Sequence, residues 1–185
     1  CRYCPGQLLK VLLMRNKDPD SQEYEDLKII ERQGLHCQQV VENLLSFVRI
    51  GRETSTDTDM NDCLTEIIKV VRHSLKIKNI ELRVDLAENL PRVIGDYRQL
   101  QQVFLNLINN AAAAMPDGGR LTIESGTTDN GRKVRVRVKD QGSGIPGEII
   151  DHIFDPFFTT KPEGEGTGLG LFVSYGIINK FGGVI

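Results

Sequence analysis

The first fifty residues carry apolar side chains at helical spacing. From Tyr24 to Ile50 these positions recur every three or four residues, which gives one apolar stripe along a long helix. Residues 7–15 have the pattern of an apolar helix end, and the proline and aspartates of residues 16–20 favour a turn. The pattern predicts an antiparallel helical hairpin. Two copies forming a four-helix bundle would cover its stripe, and the alternative is that the hairpin packs on the rest of the chain.

The remaining residues mix helical and strand periods. Residues 51–59 are small and polar, which indicates a linker. The predicted elements are a helix over 60–76 capped by Asp59 or Asn61, a strand over 80–86, a connector over 90–95, a helix from Asp96 to Met115, strands over 120–125 and 133–139, a loop over 140–166 and a helix over 169–181. The chain thus divides into a helical part, residues 1–53, and a mixed part, residues 54–185.

Composition narrows the function classes. The 185 residues are 39% hydrophobic and 26% charged, with a net charge of −2. No run approaches the roughly 18 apolar residues of a membrane span, so we expect neither a signal peptide nor a membrane contact in this segment. Residues 132–139 alternate cations with valines, which favours a half-buried strand with one solvated face over a nucleic-acid-binding stripe.

The four cysteines indicate a reducing, cytoplasmic setting. Cys1 and Cys4 have the spacing of half a zinc site or a redox pair, but no second pair at metal spacing follows. Isolated thiols are therefore the favoured interpretation.

Two asparagines on the helix ending at Met115 form the first candidate motif. Asn106 and Asn110 are four residues apart, which places both amides on one helix face. Amide oxygens suit Mg²⁺, although two asparagines on an exposed face are more often simply solvated.

A second candidate motif, Asp140-Gln-Gly142-Ser-Gly144-Ile145, follows the valine strand directly. A carboxylate there can accept a hydrogen bond from an exocyclic amine such as that of adenine, and glycines let backbone approach a planar ring. A plain glycine-rich turn is the alternative for this motif alone.

The third motif is a glycine-rich run, residues 164–171, that leads into the last helix. More than half of the chain's 18 glycines lie beyond residue 140. Glycines before a helix expose backbone N–H groups that can hold phosphates. No Lys-Ser or Lys-Thr pair follows and no strand precedes, so this is neither a Walker A loop nor a dinucleotide-binding fingerprint.

Together with the segment from Phe154 to Phe158, these motifs resemble the ATP-binding domain of sensor histidine kinases, whose superfamily includes gyrase, heat-shock chaperone and mismatch-repair ATPases. The resemblance covers about Thr54 to Ile185. The preceding hairpin resembles the second half of a dimerisation and histidine-phosphotransfer domain. The resemblance implies an α/β two-layer sandwich, a mixed sheet with helices on one face, with a mobile lid between Ile145 and Gly166.

The resemblance also implies ATP and Mg²⁺ as ligands. Asn110 would hold Mg²⁺ with Asn106 close to the phosphates, Asp140 would accept from the adenine amine, and Lys161 would contact a phosphate. The implied nucleotide-binding residues are Asn106, Asn110, Asp140, Gly142, Gly144, Ile145, Lys161, Gly166, Thr167, Gly168, Leu169 and Gly170.

One position separates kinases from hydrolases in this superfamily. The ATPases use a glutamate four residues before the magnesium asparagine as a general base, and this chain has Asn106 there, which has no useful basicity. We therefore expect phosphoryl transfer to a histidine and slow hydrolysis. The alternatives are an ATPase of the same superfamily or a passive, ATP-dependent dimerisation module.

The chain departs from the family at both ends. No phosphoacceptor motif surrounds His36, His73 or His152, so we expect the acceptor histidine to lie outside this chain, which begins just after the acceptor site or naturally lacks it. The family's C-terminal strand is also expected to be missing. The implied partners are a second copy, bound through the hairpin, and a response-regulator receiver domain. An absent upstream sensor could anchor the full-length protein to a membrane.

Overall fold

A computed structural model describes residues 18, 21–31, 33–34, 41, 56–162 and 166–185. Residues 22–31, 33–34 and 41 are helical, in agreement with the long helix predicted from Tyr24 to Ile50. Ser21 precedes this helix, and its hydroxyl oxygen accepts from the Tyr24 N–H at 3.3 Å. The predicted helix end at residues 7–15 lies outside the described residues.

The mixed part of the chain forms two sheets, three α-helices and one 3₁₀ helix within the described residues. The elements are β1 (Thr56–Thr58), α1 (Met60–Ile77), β2 (Ile80–Leu86), β3 (Val93–Gly95), α2 (Tyr97–Ala113), β4 (Gly119–Thr128), β5 (Lys133–Lys139), a 3₁₀ helix (Gly147–His152) and α3 (Gly170–Lys180). Strand β4 lies between β2, which is parallel to it, and β5, which is antiparallel. The result is the mixed sheet that the resemblance implies.

Two aspartates define where the first two helices of this part begin. The Asp59 carboxylate accepts from the N–H groups of Asn61 and Asp62, at 2.9 and 3.2 Å. The Asp96 carboxylate accepts from the N–H of Gln99 at 2.8 Å. Each bond satisfies a donor that the helix itself leaves free, so both predicted helix starts are confirmed, with Asp59 rather than Asn61 as the cap.

Two predictions of irregular backbone were wrong. Residues 56–58 of the predicted linker form β1, and residues 93–95 of the predicted connector form β3, paired antiparallel. The buried Thr58 hydroxyl donates to the Gly95 carbonyl at 2.8 Å. Strands of three residues are too short to show alternation, and this pairing joins residues 37 positions apart. The predicted loop over 140–166 also contains the 3₁₀ helix.

The hydrophobic core lies between the sheet and helices α1 and α2. Its fully buried side chains include Leu64, Ile108, Leu121 and Ile123, and the valines of β5 pack against it. The lysines and arginines of β5 are exposed on the opposite face, which confirms the predicted solvated face of this strand. A second cluster, Val103, Val173 and Ile177, holds α3 against α2.

No helix in the described ranges is long and apolar enough to cross a bilayer. Among the same residues, no group of three or more histidine, cysteine or acidic side chains is placed to hold a metal ion.

The buried thiol of Cys63 makes stability depend on pH. Burial raises the pKa of Cys63 to about 12, because the thiolate would lose its hydration. An unfolded thiol ionises near pH 8.5, so its contribution to stability is complete below that pH and is lost as the pH rises. Between pH 8 and 10 we expect the free energy of unfolding to fall by about 2 kcal/mol more in the natural chain than in Cys63→Val, measured by urea denaturation. Equal losses in both proteins would contradict this.

Candidate functional site

The side chain of Asn106 connects α2 to the start of α3. Its amide nitrogen donates to the Gly170 carbonyl at 3.1 Å and to the Ser174 hydroxyl at 3.3 Å. Ser174 is fully buried, and its hydroxyl donates to the same carbonyl at 2.8 Å. These bonds orient the Asn106 amide, and its oxygen accepts no hydrogen bond from any described residue.

Asn110 lies one turn further along the same helix. It is half-buried, and its side chain makes no hydrogen bond within the part of the chain that the structure describes. Helix α2 ends at Ala113, one turn beyond it. Both amide groups of this face therefore present an oxygen atom that remains available to a ligand.

Residues 140–145, the Asp140 loop, begin where β5 ends. Asp140 is exposed, and one of its carboxylate oxygens accepts from the Gly142 N–H at 2.9 Å. The second oxygen has no hydrogen bond to a described residue. The loop thus holds an exposed carboxylate with one oxygen fixed by backbone and one without a hydrogen bond to a described residue.

Gly142 brings this loop against the end of α2. A Cβ atom at Gly142 would lie 2.5 Å from the Ala114 carbonyl oxygen, which is too close for any side chain. The N–H of Ser143 donates to that same oxygen at 3.3 Å. The sequence analysis predicted that Gly142 makes room for a base. In the structure, the contact that requires glycine at this position is with Ala114.

The physical reason for a glycine at position 144 differs from the reason at position 142. Its φ is +72°, and a Cβ there would meet no atom within 4 Å. Backbone conformation alone therefore favours glycine at this position, and the space beside it is open. The next side chain, Ile145, is 51% exposed next to that space.

Residues 166–169 form the glycine loop before α3, and they pack on residues 154–161, the phenylalanine segment. A Cβ at Gly168, whose φ is +64°, would lie 2.3 Å from the Phe157 carbonyl carbon. Phe157 itself has a φ of +66°, an uncommon conformation for a phenylalanine. At Gly166 a Cβ would lie 2.5 Å from the Thr159 hydroxyl and 3.2 Å from the side chain of Lys161. The two segments are therefore in direct contact.

The glycine-rich run leads directly into the first turn of α3, which begins at Gly170. Its N-cap, Leu169, is buried and makes no side-chain capping bond, and the Thr167 hydroxyl accepts from the Leu169 N–H at 3.3 Å. A helix N-terminus after a glycine loop favours an anion. The Lys161 side chain is exposed and makes no ion pair with any described residue.

Sequence reasoning placed Phe157 in the motif from Phe154 to Phe158, but it missed two residues that hold the site together, Ala114 and Ser174. Ser174 was the easier of the two to find from the sequence, because it is a hydroxyl four residues after Gly170 in a mostly apolar helix. Phe154 also supports the arrangement through a ring contact with Tyr175 on α3, at 5.1 Å between centroids.

Comparison with known proteins identifies the family. The model of histidine kinase-, DNA gyrase B-, and HSP90-like ATPases matches residues 95–185. The nucleotide-free catalytic domain of histidine kinase ThkA is 35% identical, with a TM-score of 0.62, over 70% of this chain and 82% of that domain. The chain belongs to the histidine kinases. The predicted family and α/β sandwich fold are thereby confirmed.

Longer histidine kinases are similar over nearly the whole chain. Sensor kinase CckA of Brucella abortus (strain 2308) is 35% identical over 94% of this chain and 20% of its own length. Full-length ShkA in complex with AMPPNP is 25% identical, with a TM-score of 0.73, over 96% of this chain and 38% of ShkA. ThkA in complex with the response regulator TrrA is also 25% identical, with a TM-score of 0.69, over 96% of this chain and 50% of that one. The chain therefore spans about a fifth of the length of CckA.

Proposed function

We propose that this histidine kinase segment binds ATP with Mg²⁺ and transfers the γ-phosphate to a histidine outside this chain, for relay to a response-regulator aspartate. One observation carries the proposal: the Asp140 loop and the glycine loop both meet helix α2, through Ala114 and through Asn106. The Asp140 loop offers a carboxylate, and the glycine loop offers backbone at a helix N-terminus. A single ligand with a base at one end and phosphates at the other would match these two chemistries.

The second carboxylate oxygen of Asp140, which has no hydrogen bond to a described residue, would accept from the exocyclic amine of adenine. The open space at Gly144 and Ile145 suits a planar ring. At the other end, the backbone donors around Gly168 and the start of α3 would hold phosphate oxygens, and Lys161 would reach a phosphate as a point charge.

The two asparagines fit a magnesium ion. Mg²⁺ takes oxygen ligands, and both amides keep an oxygen without a hydrogen bond to the described residues. We assign Asn110 as the metal-holding residue, with Asn106 next to the phosphates. When bound, Mg²⁺ neutralises phosphate charge, which is its usual contribution to phosphoryl transfer.

Asn106 also explains why transfer rather than hydrolysis is expected. An amide cannot take a proton from water, and the Asn106 nitrogen already donates to Gly170 and Ser174. In the proposed reaction an imidazole nitrogen attacks the γ-phosphorus, a P–N bond forms, and the bond to the bridging oxygen breaks to release ADP. The chain contributes position and charge rather than a general base.

The partners are proposed on the same basis. Ile29, Ile30 and Val41 are exposed apolar side chains at helical positions, and pairing of two hairpins would cover them. The hairpin surface is also the proposed contact for a receiver domain. This proposal is supported by the structure of the similar protein ThkA in complex with a response regulator.

Transfer in trans tests the proposed function. We mix the chain and γ-labelled ATP with a protein that carries an intact acceptor helix, and expect acid-labile label on the acceptor and none on the chain. Label on the chain would refute the placement of the acceptor. Rapid hydrolysis without transfer would favour the ATPase alternative. ATP-dependent sedimentation without transfer or turnover would favour the passive module.

Asn110→Ala is expected to remove the metal dependence of nucleotide binding. In the natural chain, EDTA should weaken ATP binding, because the metal links the amide oxygen to the phosphates. In Asn110→Ala, ATP affinity should be about tenfold lower with Mg²⁺ and nearly unchanged by EDTA, measured by calorimetry. Asn109→Ala, on the exposed neighbouring position, is the matched control and should behave like the natural chain. A full EDTA response in Asn110→Ala would overturn the assignment.

A further inference from the structure

Strand β2 lies at an edge of the three-stranded sheet. It pairs with β4 over seven consecutive residues in unbroken register, and no described strand pairs with its other side. Edge strands are commonly protected by a proline, a bulge, charged side chains or an unusually short length, because an open edge can pair with another chain. Strand β2, Ile80–Leu86, carries charges at Glu81, Arg83 and Asp85, but it contains no proline and its pairing contains no bulge.

The backbone groups that face outward can be assigned from one hydrogen bond. The N–H of Ala87 donates to the Ser125 carbonyl, which belongs to β4. In a parallel ladder the residues that bond to one neighbour alternate with residues whose N–H and C=O point to the other side. Leu82 and Val84 therefore direct their backbone groups to the open edge. The Val84 side chain is 40% exposed there.

A positively charged groove runs beside this edge. An open cavity of about 350 Å³ lies between α1 and β2, with Ile80 and Leu82 among its lining residues. Arg72 and Lys76, one turn apart on α1, also line it, are exposed, and form no ion pair with a described residue.

The one carboxylate of the groove does not neutralise these cations. Glu81 is bonded to Arg83 at 3.0 Å and to Arg120 at 2.9 Å. Arg120, followed by Arg83, holds the pKa of Glu81 below its usual value. Arg72 and Lys76 therefore remain available to an incoming anionic group.

A second copy of this chain fits this edge poorly. Two β2 strands related by a two-fold axis would pair antiparallel, with both α1 helices on the same face of the joined sheet. Arg72 and Lys76 of the two copies would then approach each other across the junction. Like charges this close are unfavourable, so an acidic partner is the better complement.

We propose that the β2 edge binds an extended acidic segment of a partner protein, which adds to the sheet as a further strand. Its backbone pairs with the outward groups of Leu82 and Val84, and its carboxylates pair with Arg72 and Lys76. Backbone pairing supplies affinity in such additions, and the side chains supply selectivity. The surface is distinct from the proposed nucleotide site and does not depend on it.

A synthetic peptide, acetyl-Thr-Glu-Val-Glu-Val-Glu-Thr-amide, is the probe. We expect it to slow amide hydrogen exchange at Leu82 and Val84. Combining Arg72→Glu with Lys76→Glu should weaken its binding about five- to tenfold, as loss of two surface ion pairs predicts. Both side chains are exposed, so the double variant should fold. Combining Lys133→Glu with Arg135→Glu, an equal charge change at exposed positions of β5, should leave the affinity within twofold.

Four results would overturn the proposal. The first two are peptide binding with no protection at Leu82 and Val84, and protection at β5 instead. The other two are equal binding of a peptide with lysine in place of glutamate, and an absence of peptide binding to the natural chain. Nucleotide binding, measured in the same samples, reports separately on the proposed function.

Discussion

Asp140→Asn should lower ATP affinity by about 10- to 200-fold, the range that corresponds to losing a hydrogen bond to a charged group. Asparagine keeps the size of the side chain and can still accept from the Gly142 N–H. The other carboxylate oxygen is then replaced by an amide nitrogen, which would face the donor amine of adenine. Isothermal titration calorimetry with ATP measures the effect.

Two comparisons separate recognition from general damage. GTP has a carbonyl oxygen where ATP has its amine, so the natural chain should prefer ATP, and Asp140→Asn should reduce that preference. Asp129→Asn changes an exposed carboxylate beyond the other end of β5. Its affinities for ATP and for GTP should stay within twofold of those of the natural chain. An unchanged ATP affinity in Asp140→Asn would remove Asp140 from the base site.

Gly168→Ala should reduce ATP affinity by on the order of 100-fold, or about 2.7 kcal/mol. The added Cβ would lie 2.3 Å from the Phe157 carbonyl carbon, and backbone on both sides prevents a simple adjustment. The positive φ adds about 1–2 kcal/mol of strain for a residue with a side chain. The glycine loop should therefore separate from the phenylalanine segment and lose the arrangement of its backbone donors.

Glycines elsewhere in the chain provide graded controls for Gly168. Gly144→Ala introduces the positive-φ strain without a clash, so we expect an intermediate loss of about tenfold. Gly126→Ala, in β4, introduces neither and should bind ATP like the natural chain. Calorimetry and thermal unfolding of the three variants measure both effects. Similar affinities for Gly168→Ala and Gly126→Ala would show that the contact with Phe157 does not support nucleotide binding.

Local features of the fold were predictable because their causes are local. Asp59 and Asp96 begin helices by accepting from N–H groups two or three residues away. The alternation in β5 identifies both of its faces within seven residues. The order of the three motifs was sufficient to indicate the family, which the ThkA catalytic domain confirms. The roles of individual site residues remain predictions.

Contacts between distant residues were not predictable in the same way. Strands β1 and β3 are too short to have a detectable period, and each is stable only because the other pairs with it. Ser174 reads as one polar residue in an apolar helix until α3 packs on α2 and places it against Asn106. No spacing rule connects residues 68 positions apart.

The sequence by itself determined the helices, the main strands, the solvated face of β5 and the histidine kinase resemblance, because periodicity, capping and motif order act over a few residues. Tertiary structure alone decided which atoms require each glycine: Ala114 at Gly142, Phe157 at Gly168, and backbone conformation at Gly144. It also decided that β2, beside Arg72 and Lys76, lies at an edge of the sheet that the described residues form. These features depend on how separate elements pack, and no stretch of sequence contains both sides of the contact.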